Sequence, residues 1–258
     1  MIKKLLVALS LVAIIPFQNH AAQLHVVTEV LPPLQYINPH GIQSGFSHDI
    51  VTALLKESGL SYEISFFPWA RAYKLAQYNE NTCVYSLARL PEREKLFHWV
   101  TPLLETNSVM FGLKKKGITL ENIEQAKAYN VAVIRDDATH LMLKRLGFKE
   151  HQNLYIVENS TSLLKLLYSK SDIDLIVADD ITFRYRAKVA NLPVDSFSRL
   201  IAIPNTNLDF YFACQRDMEP ELIEHLLSAK ERLKTKGVYD QIIHKWQPSF
   251  GAKPKIKL

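Results

Sequence analysis

The sequence predicts an α/β chain made of two successive units, and three observations carry that prediction. Short β-branched or apolar runs alternate with amphipathic runs of helical period. The alternation starts afresh once, near residue 130, after an extended stretch. The 258 residues are 48% hydrophobic and 22% charged, which supplies enough apolar material for one large domain or two smaller ones and argues against disorder.

"LHVVTEV" is β-branched and apolar, as a buried strand should be. A loop with Pro32, Pro33 and Gly41 leads to "SHDIVTALLKESG", which places Ile50, Val51, Leu54 and Leu55 on one helical face. Ser47 is its expected N-cap and Gly59 its stop. "SYEISFF" is the next strand, and Pro68 opens the helix "PWARAYKLAQY", where a missing N–H costs nothing. "CVYSLA" completes β-α-β-α-β, and "TNSVMFGLKK" follows as an extended segment. The second series runs "NVAVI", "DATHLMLKRLG", "NLYIVE", "TSLLKLLYSK", "IDLIVAD" and "ITFRYRAKVA", strand and helix in turn. Two strand-like runs, "RLIAIP" and "LDFYFACQ", precede the amphipathic helix "EPELIEHLLSAKERLKTKG" and the short helix "VYDQIIHKW".

Residues 1–22 read as an export signal: Lys3 and Lys4, an apolar run from Leu5 to Phe17, and a cut near Ala21 or Ala22. That run is shorter than the roughly 20 residues of a membrane span. The expected mature protein is therefore exported, with a formal charge lowered from +5 to +3 by loss of the two lysines. No basic stripe with interleaved aromatics occurs, so no nucleic-acid partner is expected. The tail 251–258, "GAKPKIKL", reads as a flexible basic end. Cys83 and Cys214 are the only cysteines. In an oxidising compartment they could close a disulfide, and the alternative is two buried thiols.

The common catalytic and cofactor motifs are absent: no G-x-G-x-x-G, no P-loop, no H-E-x-x-H, no C-x-x-C and no G-x-S-x-G, so no cofactor is implied. Histidines such as His25, His48, His98, His140 and His244 lack metal-ligand spacing. Asp136-Asp137 and Asp179-Asp180 each precede a helix, where carboxylates serve as N-caps. Ligands of α/β sheets bind at the carboxyl ends of strands, and "TEVLPPLQY", "FFPWAR", "SLARLPER", "IRDDAT" and "VADDI" all lie at such ends.

Taken together, "LPPLQY", "GIQSGFSHDIVTALLKESGL", "SLARLPEREKLFHWVTPL", "IDLIVAD" and "LLSAKERLKTKGVYDQIIHKW" resemble the bacterial extracellular solute-binding proteins of family 3. The similarity covers nearly the whole mature chain. It implies a two-lobed periplasmic binding protein of type II, with two hinge-crossing strands. Lobe 1 would hold residues 23–108 and 206–250, and lobe 2 residues 109–205. It also implies that "LDFYFACQ" lies antiparallel beside "CVYSLA", which would bring Cys214 to Cys83.

By the same resemblance Arg93 matches the arginine that grips a ligand carboxylate, its alternative being an exposed ion pair with Glu92 or Glu94. Asp179 matches the aspartate that receives an ammonium group, its alternative an N-cap. Trp69 matches the stacking aromatic, its alternative core packing. Tyr36, Tyr85, Ser86, Arg71 and Arg89 are further candidates on the same rim. Ala88 departs from a ligand-binding serine or threonine, Leu31 from a stacking tyrosine, and "RDDAT" from a glycine-serine-threonine turn. These departures point away from a standard amino acid held in the standard way and towards a cationic or otherwise decorated small molecule. The expected function is non-enzymatic capture of a small polar solute in the periplasm by a monomer that serves a membrane ABC permease. A dehydratase-like enzyme of the same fold and a ligand-sensing accessory protein are the alternatives.

Overall fold

The computed structural model describes residues 23–170 and 172–258, so the expected leader lies outside the described residues. Strand β1 (Leu24–Thr28) leads through a loop to the two-residue strands β2 (Tyr36–Ile37) and β3 (Gln43–Ser44). Helix α1 (Phe46–Ser58), β4 (Tyr62–Phe66), α2 (Trp69–Tyr78), β5 (Thr82–Ala88) and β6 (Phe97–Leu104) follow. The second unit contains β7 (Asn107–Leu113), β8 (Val131–Ile134), α3 (Ala138–Arg145), β9 (Leu154–Val157), α4 (Ser160–Ser169), β10 (Leu175–Ala178), α5 (Asp180–Val189) and β11 (Phe197–Asn207). The chain then returns through β12 (Phe210–Gln215), α6 (Pro220–Thr235) and α7 (Val238–Phe250).

Two five-stranded sheets result, ordered β4-β1-β5-β12-β6 and β11-β7-β10-β8-β9. In the first, β1 is parallel to β4 and β5, while β12 is antiparallel to β5 and β6. In the second, β8, β9 and β10 are parallel and β7 runs against β10 and β11. The chain passes between the sheets twice, at Leu104–Asn107 and at Asn207–Phe210, so two lobes are joined by two adjacent crossings. At the crossings the Thr106 hydroxyl donates to the Leu208 carbonyl. In the first lobe, α1, α6 and α7 share a core with Leu24, Val26, Tyr85, Leu103 and Phe212. A second buried cluster runs from Val27, Trp69 and Val84 in the first lobe to Ile134, Leu163 and Phe183 in the second.

Helix α1 starts differently from the sequence expectation. Gly45, not Ser47, is its N-cap, and no side chain caps it. The carbonyls of Pro33 and Leu34 accept instead from the N–H groups of Phe46 (3.0 Å) and His48 (3.1 Å). That arrangement presses the 33–35 loop onto residue 45, where a Cβ would stand 2.2 Å from the Leu34 oxygen. Only glycine fits there, and its φ of 140° is also one that side chains disfavour. Ser47 is buried in the first turn. The stop at Gly59 is left-handed as expected, with φ 75°.

The carboxyl-terminal residues are docked rather than loose. Glu105 N–H donates to the Lys255 carbonyl at 2.8 Å, Pro254 is buried, and Ile256 packs against the first core. Lys257 Nζ reaches Asp209 Oδ2 at 3.0 Å. Low apolar content hid this, because the partners Glu105 and Asp209 belong to the two crossings.

Cys83 and Cys214 face each other in the β5–β12 register and are joined by a disulfide. With the two cysteines 131 positions apart, the chain-entropy model gives about 5 kcal/mol of stabilisation, largely through the unfolded state. Replacing both cysteines by serine should therefore lower the urea midpoint strongly under non-reducing conditions. An unchanged midpoint would remove the bond's stabilising role.

Candidate functional site

The carboxyl ends of strands from both lobes converge on one cavity of about 80 Å³, well above the roughly 10–15 Å³ that a single water needs. The first lobe contributes Glu29 after β1, Trp69 at the start of α2, Ser86 and Ala88 from β5, and Arg93. The second contributes Ile134, Asp137, Asp179 and Arg186. Thr106, Asn107, Ser108 and Leu208 at the crossings close the floor.

Arg93 sits in a short 3₁₀ turn, Pro91–Arg93, directly behind β5 and is 1% exposed. Its guanidinium lies against the rings of Trp69 (5.7 Å) and Tyr73 (4.9 Å), a geometry in which a cation gains from aromatic faces. Nη1 donates to the Ala88 carbonyl at 3.3 Å and Nη2 to the Asp136 carbonyl of the opposite lobe at 3.1 Å, while Nε has no hydrogen-bond partner. Burial weakens its hold on the proton, and Tyr73 and Asp137 counter that. The exposed ion pair is made instead by Arg89, whose Nε donates to Glu94 Oε2 at 2.9 Å while its guanidinium covers Trp99 and Tyr211.

Ser86 reaches the cavity through a β-bulge. Tyr85 pairs with Phe212 and Leu87 with Tyr211, which leaves Ser86 unpaired at φ 59°. Such bulges re-aim a side chain, and the left-handed conformation costs of order 1–3 kcal/mol. The Ser86 hydroxyl donates to Gln35 Oε1 at 2.8 Å.

In the second lobe, Asp136 is also left-handed, at φ 56°. Its carbonyl accepts from both Trp69 Nε1 (3.1 Å) and Arg93 Nη2 (3.1 Å). Its N–H donates to His140 Nδ1 at 3.1 Å, so the His140 proton sits on Nε2, 3.0 Å from Glu150. Asp137 caps α3, accepting from His140 N–H at 2.7 Å and from the Thr139 hydroxyl. Asp179 caps α5, accepting from Thr182 N–H at 2.7 Å and from its hydroxyl. Burial pushes both aspartates up, and these capping hydrogen bonds pull them back. Glu29 is 8% exposed, and its Oε2 has no hydrogen-bond partner. Burial, then Asp137, push its carboxyl up to about 8, with Arg186 offsetting part. Three carboxyl groups thus share the cavity with two guanidiniums. Among the described residues, no three His, Cys, Asp or Glu side chains are placed to hold a metal ion.

Of the residues singled out in the sequence, Arg93, Asp179, Trp69 and Ser86 meet at the cavity wall. The other four do not line it. Tyr85 turns to the opposite face of β5, where its hydroxyl is 3.1 Å from His48 Nδ1. Arg89 is held by Glu94, and Arg71 is exposed with its guanidinium 4.5 Å from the Phe67 ring. Tyr36 lies at the rim, its hydroxyl accepting from Tyr185 of the other lobe at 3.4 Å. Sequence reasoning missed Glu29 and Arg186 and reached Asp137 as a cap and, through "RDDAT", as a carboxylate at the cleft. The available signal was the acid that interrupts "LHVVTEV" where the strand reaches its carboxyl end.

Comparison with known proteins agrees with this geometry. Residues 24–249 match the sequence pattern of bacterial extracellular solute-binding proteins, family 3. A probable histidine-binding protein of Neisseria gonorrhoeae is 21% identical over 216 residues, 83% of this chain and 78% of that protein. The arginine-, lysine-, histidine-binding protein ArtJ of Geobacillus stearothermophilus has the same fold, with TM-score 0.74 and 19% identity over 91% of this chain and 97% of its own. A histidine kinase sensor domain similar to periplasmic binding proteins shares it too, with TM-score 0.76 and 16% identity over 87% and 95%.

The Asp136 carbonyl bonds join the lobes, aided at the surface by Arg145 and Glu92, 3.0 Å apart. Trp69→Phe keeps a ring beside Arg93 and removes one of these bonds, worth about 0.5–1.5 kcal/mol. The closed-to-open ratio should fall roughly two- to thirteen-fold, read as a larger radius of gyration by X-ray scattering. An unchanged scattering profile would mean that this bond does not govern closure.

Proposed function

Because the chain belongs to family 3 of the bacterial extracellular solute-binding proteins, we propose that its interlobe cavity captures one small polar solute in the periplasm. The closed, loaded form is then presented to the membrane permease of an ABC importer. The observation that carries this reading is a buried guanidinium, Arg93, at the wall of a cavity shared by two hinged lobes. Arginine has five N–H donors in a rigid fork. Two of them go to the Ala88 and Asp136 carbonyls, and those bonds orient the group.

In this reading Arg93 receives the solute's anionic group, exchanging its bond to Asp136 for charge-assisted bonds to the guest. Asp179 receives an ammonium group without giving up its cap, since a carboxylate has about four acceptor sites and Thr182 uses two. Trp69 supplies an apolar wall, and the bulge presents the Ser86 hydroxyl. A solute that touches both lobes favours the closed conformer by its differential affinity. Micromolar capture corresponds to about −8 kcal/mol, within reach of one doubly bonded ion pair and an aromatic contact after ordering costs. In this reading the solute leaves unchanged.

Thermal unfolding of the mature protein against amino acids, polyamines, dipeptides and organic acids tests this. A true guest at 100 times its Kd adds about 2.7 kcal/mol, raising the midpoint by roughly 5 to 10 °C for a chain of this size. Arg93→Ala should abolish that rise. A panel that leaves the midpoint unmoved, or a stabilising compound whose mass changes on incubation, overturns the reading.

A further inference from the structure

Glu29 has no role in that account, and its surroundings give it one. It ends β1 at the cavity wall, more than nine-tenths buried, with Oε2 lacking any hydrogen-bond donor. The charged groups that act on it come from the opposite lobe. Asp137 faces it from the start of α3 and Arg186 from α5, while Asp179 and Arg93 stand further round the same wall. On its own strand Thr28 is spent on the Tyr85 carbonyl. Arg186 is shared among Asp179, Glu29 and Asp137. An unpaired ionised carboxylate in such a place is costly. Burial and Asp137 push the Glu29 carboxyl up to about 8, so it holds its proton at neutral pH.

We propose that Glu29 receives a cationic group of the solute and surrenders its proton as it does so, so that the cavity selects solutes of net positive charge. The inference rests on the solute-capture reading and deepens it. An arriving ammonium or guanidinium supplies the counter-charge that Glu29 lacks, and Asp137 across the cleft strengthens the attraction. The carboxyl proton passes to the bulk buffer, so the exchange is cation in, proton out. A neutral zwitterion leaves Glu29 protonated and gains nothing from it, and an anion meets Asp137 and Asp179. Only the ionised form of Glu29 receives the cation. Apparent affinity therefore rises about tenfold per pH unit below the carboxyl's midpoint and levels off above it.

Titration calorimetry on the mature protein between pH 6 and 8, in two buffers of different ionisation enthalpy, tests this with paired probes. Lysine and 2,4-diaminobutyrate are the cations, and norleucine and homoserine are their neutral counterparts. A cation should bind at least tenfold tighter than its counterpart and release close to one proton at pH 7. Glu29→Gln should erase both the preference and the proton release. In the unliganded protein the same substitution should change the thermal midpoint little near pH 4, raise it progressively as pH climbs, because the unfolded wild type ionises this acid and the folded one does not, and raise it most at pH 8.5. Equal affinity for both members of a pair, with no proton release and no effect of Glu29→Gln, overturns the assignment and leaves solute capture standing. Absence of binding by any solute, charged or neutral, overturns both.

Discussion

A guanidinium taken out of water must find partners for its donors and its charge, and Arg93 finds them on both sides of a hinge. Its own lobe gives the Ala88 carbonyl and the faces of Trp69 and Tyr73. The opposite lobe gives the carbonyl of Asp136. Desolvation is tolerable because neither lobe is asked to compensate the charge alone, and the same division makes the group sensitive to closure. When the lobes part, Arg93 loses an acceptor and Trp69 loses the same one. A guest that offers a better acceptor can replace that carbonyl without leaving the guanidinium unpaired at any stage.

The topology explains how such a contact can be made and broken without unfolding either lobe. Each sheet is complete in itself, and only the segments between β6 and β7 and between β11 and β12 pass from one to the other. Because those segments are neighbours, tied by Thr106 and Leu208, the lobes can turn about one line. Lys255 and Lys257 fasten the end of the chain to residues of both crossings, Glu105 and Asp209. The two crossings are thereby tied to one terminal segment as well as to each other.

Much of the order of elements could be read from the sequence, because buried strands such as "LHVV" and "LIVA" and helices such as α6 declare themselves by apolar period alone. Arg93 drew notice through the family resemblance of the segment behind its strand end, and its burial was not readable there. Other features were hidden wherever the deciding partner lies far along the chain. Tyr85 and Ser86 are consecutive, and alternation lets only one of them face the cavity. The choice and the bulge that fixes it depend on the register with β12, more than a hundred residues later. The start of α1 was misplaced because carbonyls of Pro33 and Leu34 took over the work of a capping side chain. Glu29 looked like the polar end of a strand, since its electrostatic neighbours are residues 137 and 186.

The second lobe's turn carries the remaining step of synthesis. Asp137 and Asp179 occupy equivalent places, each at the end of a central strand and at the start of a helix. Helix N-termini attract negative charge, and in this chain the charge is supplied from within at both. Neither terminus is thereby left to receive an anionic group from a guest. Of the two guanidiniums at the cavity wall, Arg186 stands in the second lobe among Asp179, Asp137 and Glu29, and Arg93 stands in the first. The polarity of the cavity thus follows from two capping residues whose local task is only to start α3 and α5. In the proposed reading this polarity orients a guest, its negative end towards the 3₁₀ turn after β5 and its positive charge towards Asp179 and Glu29.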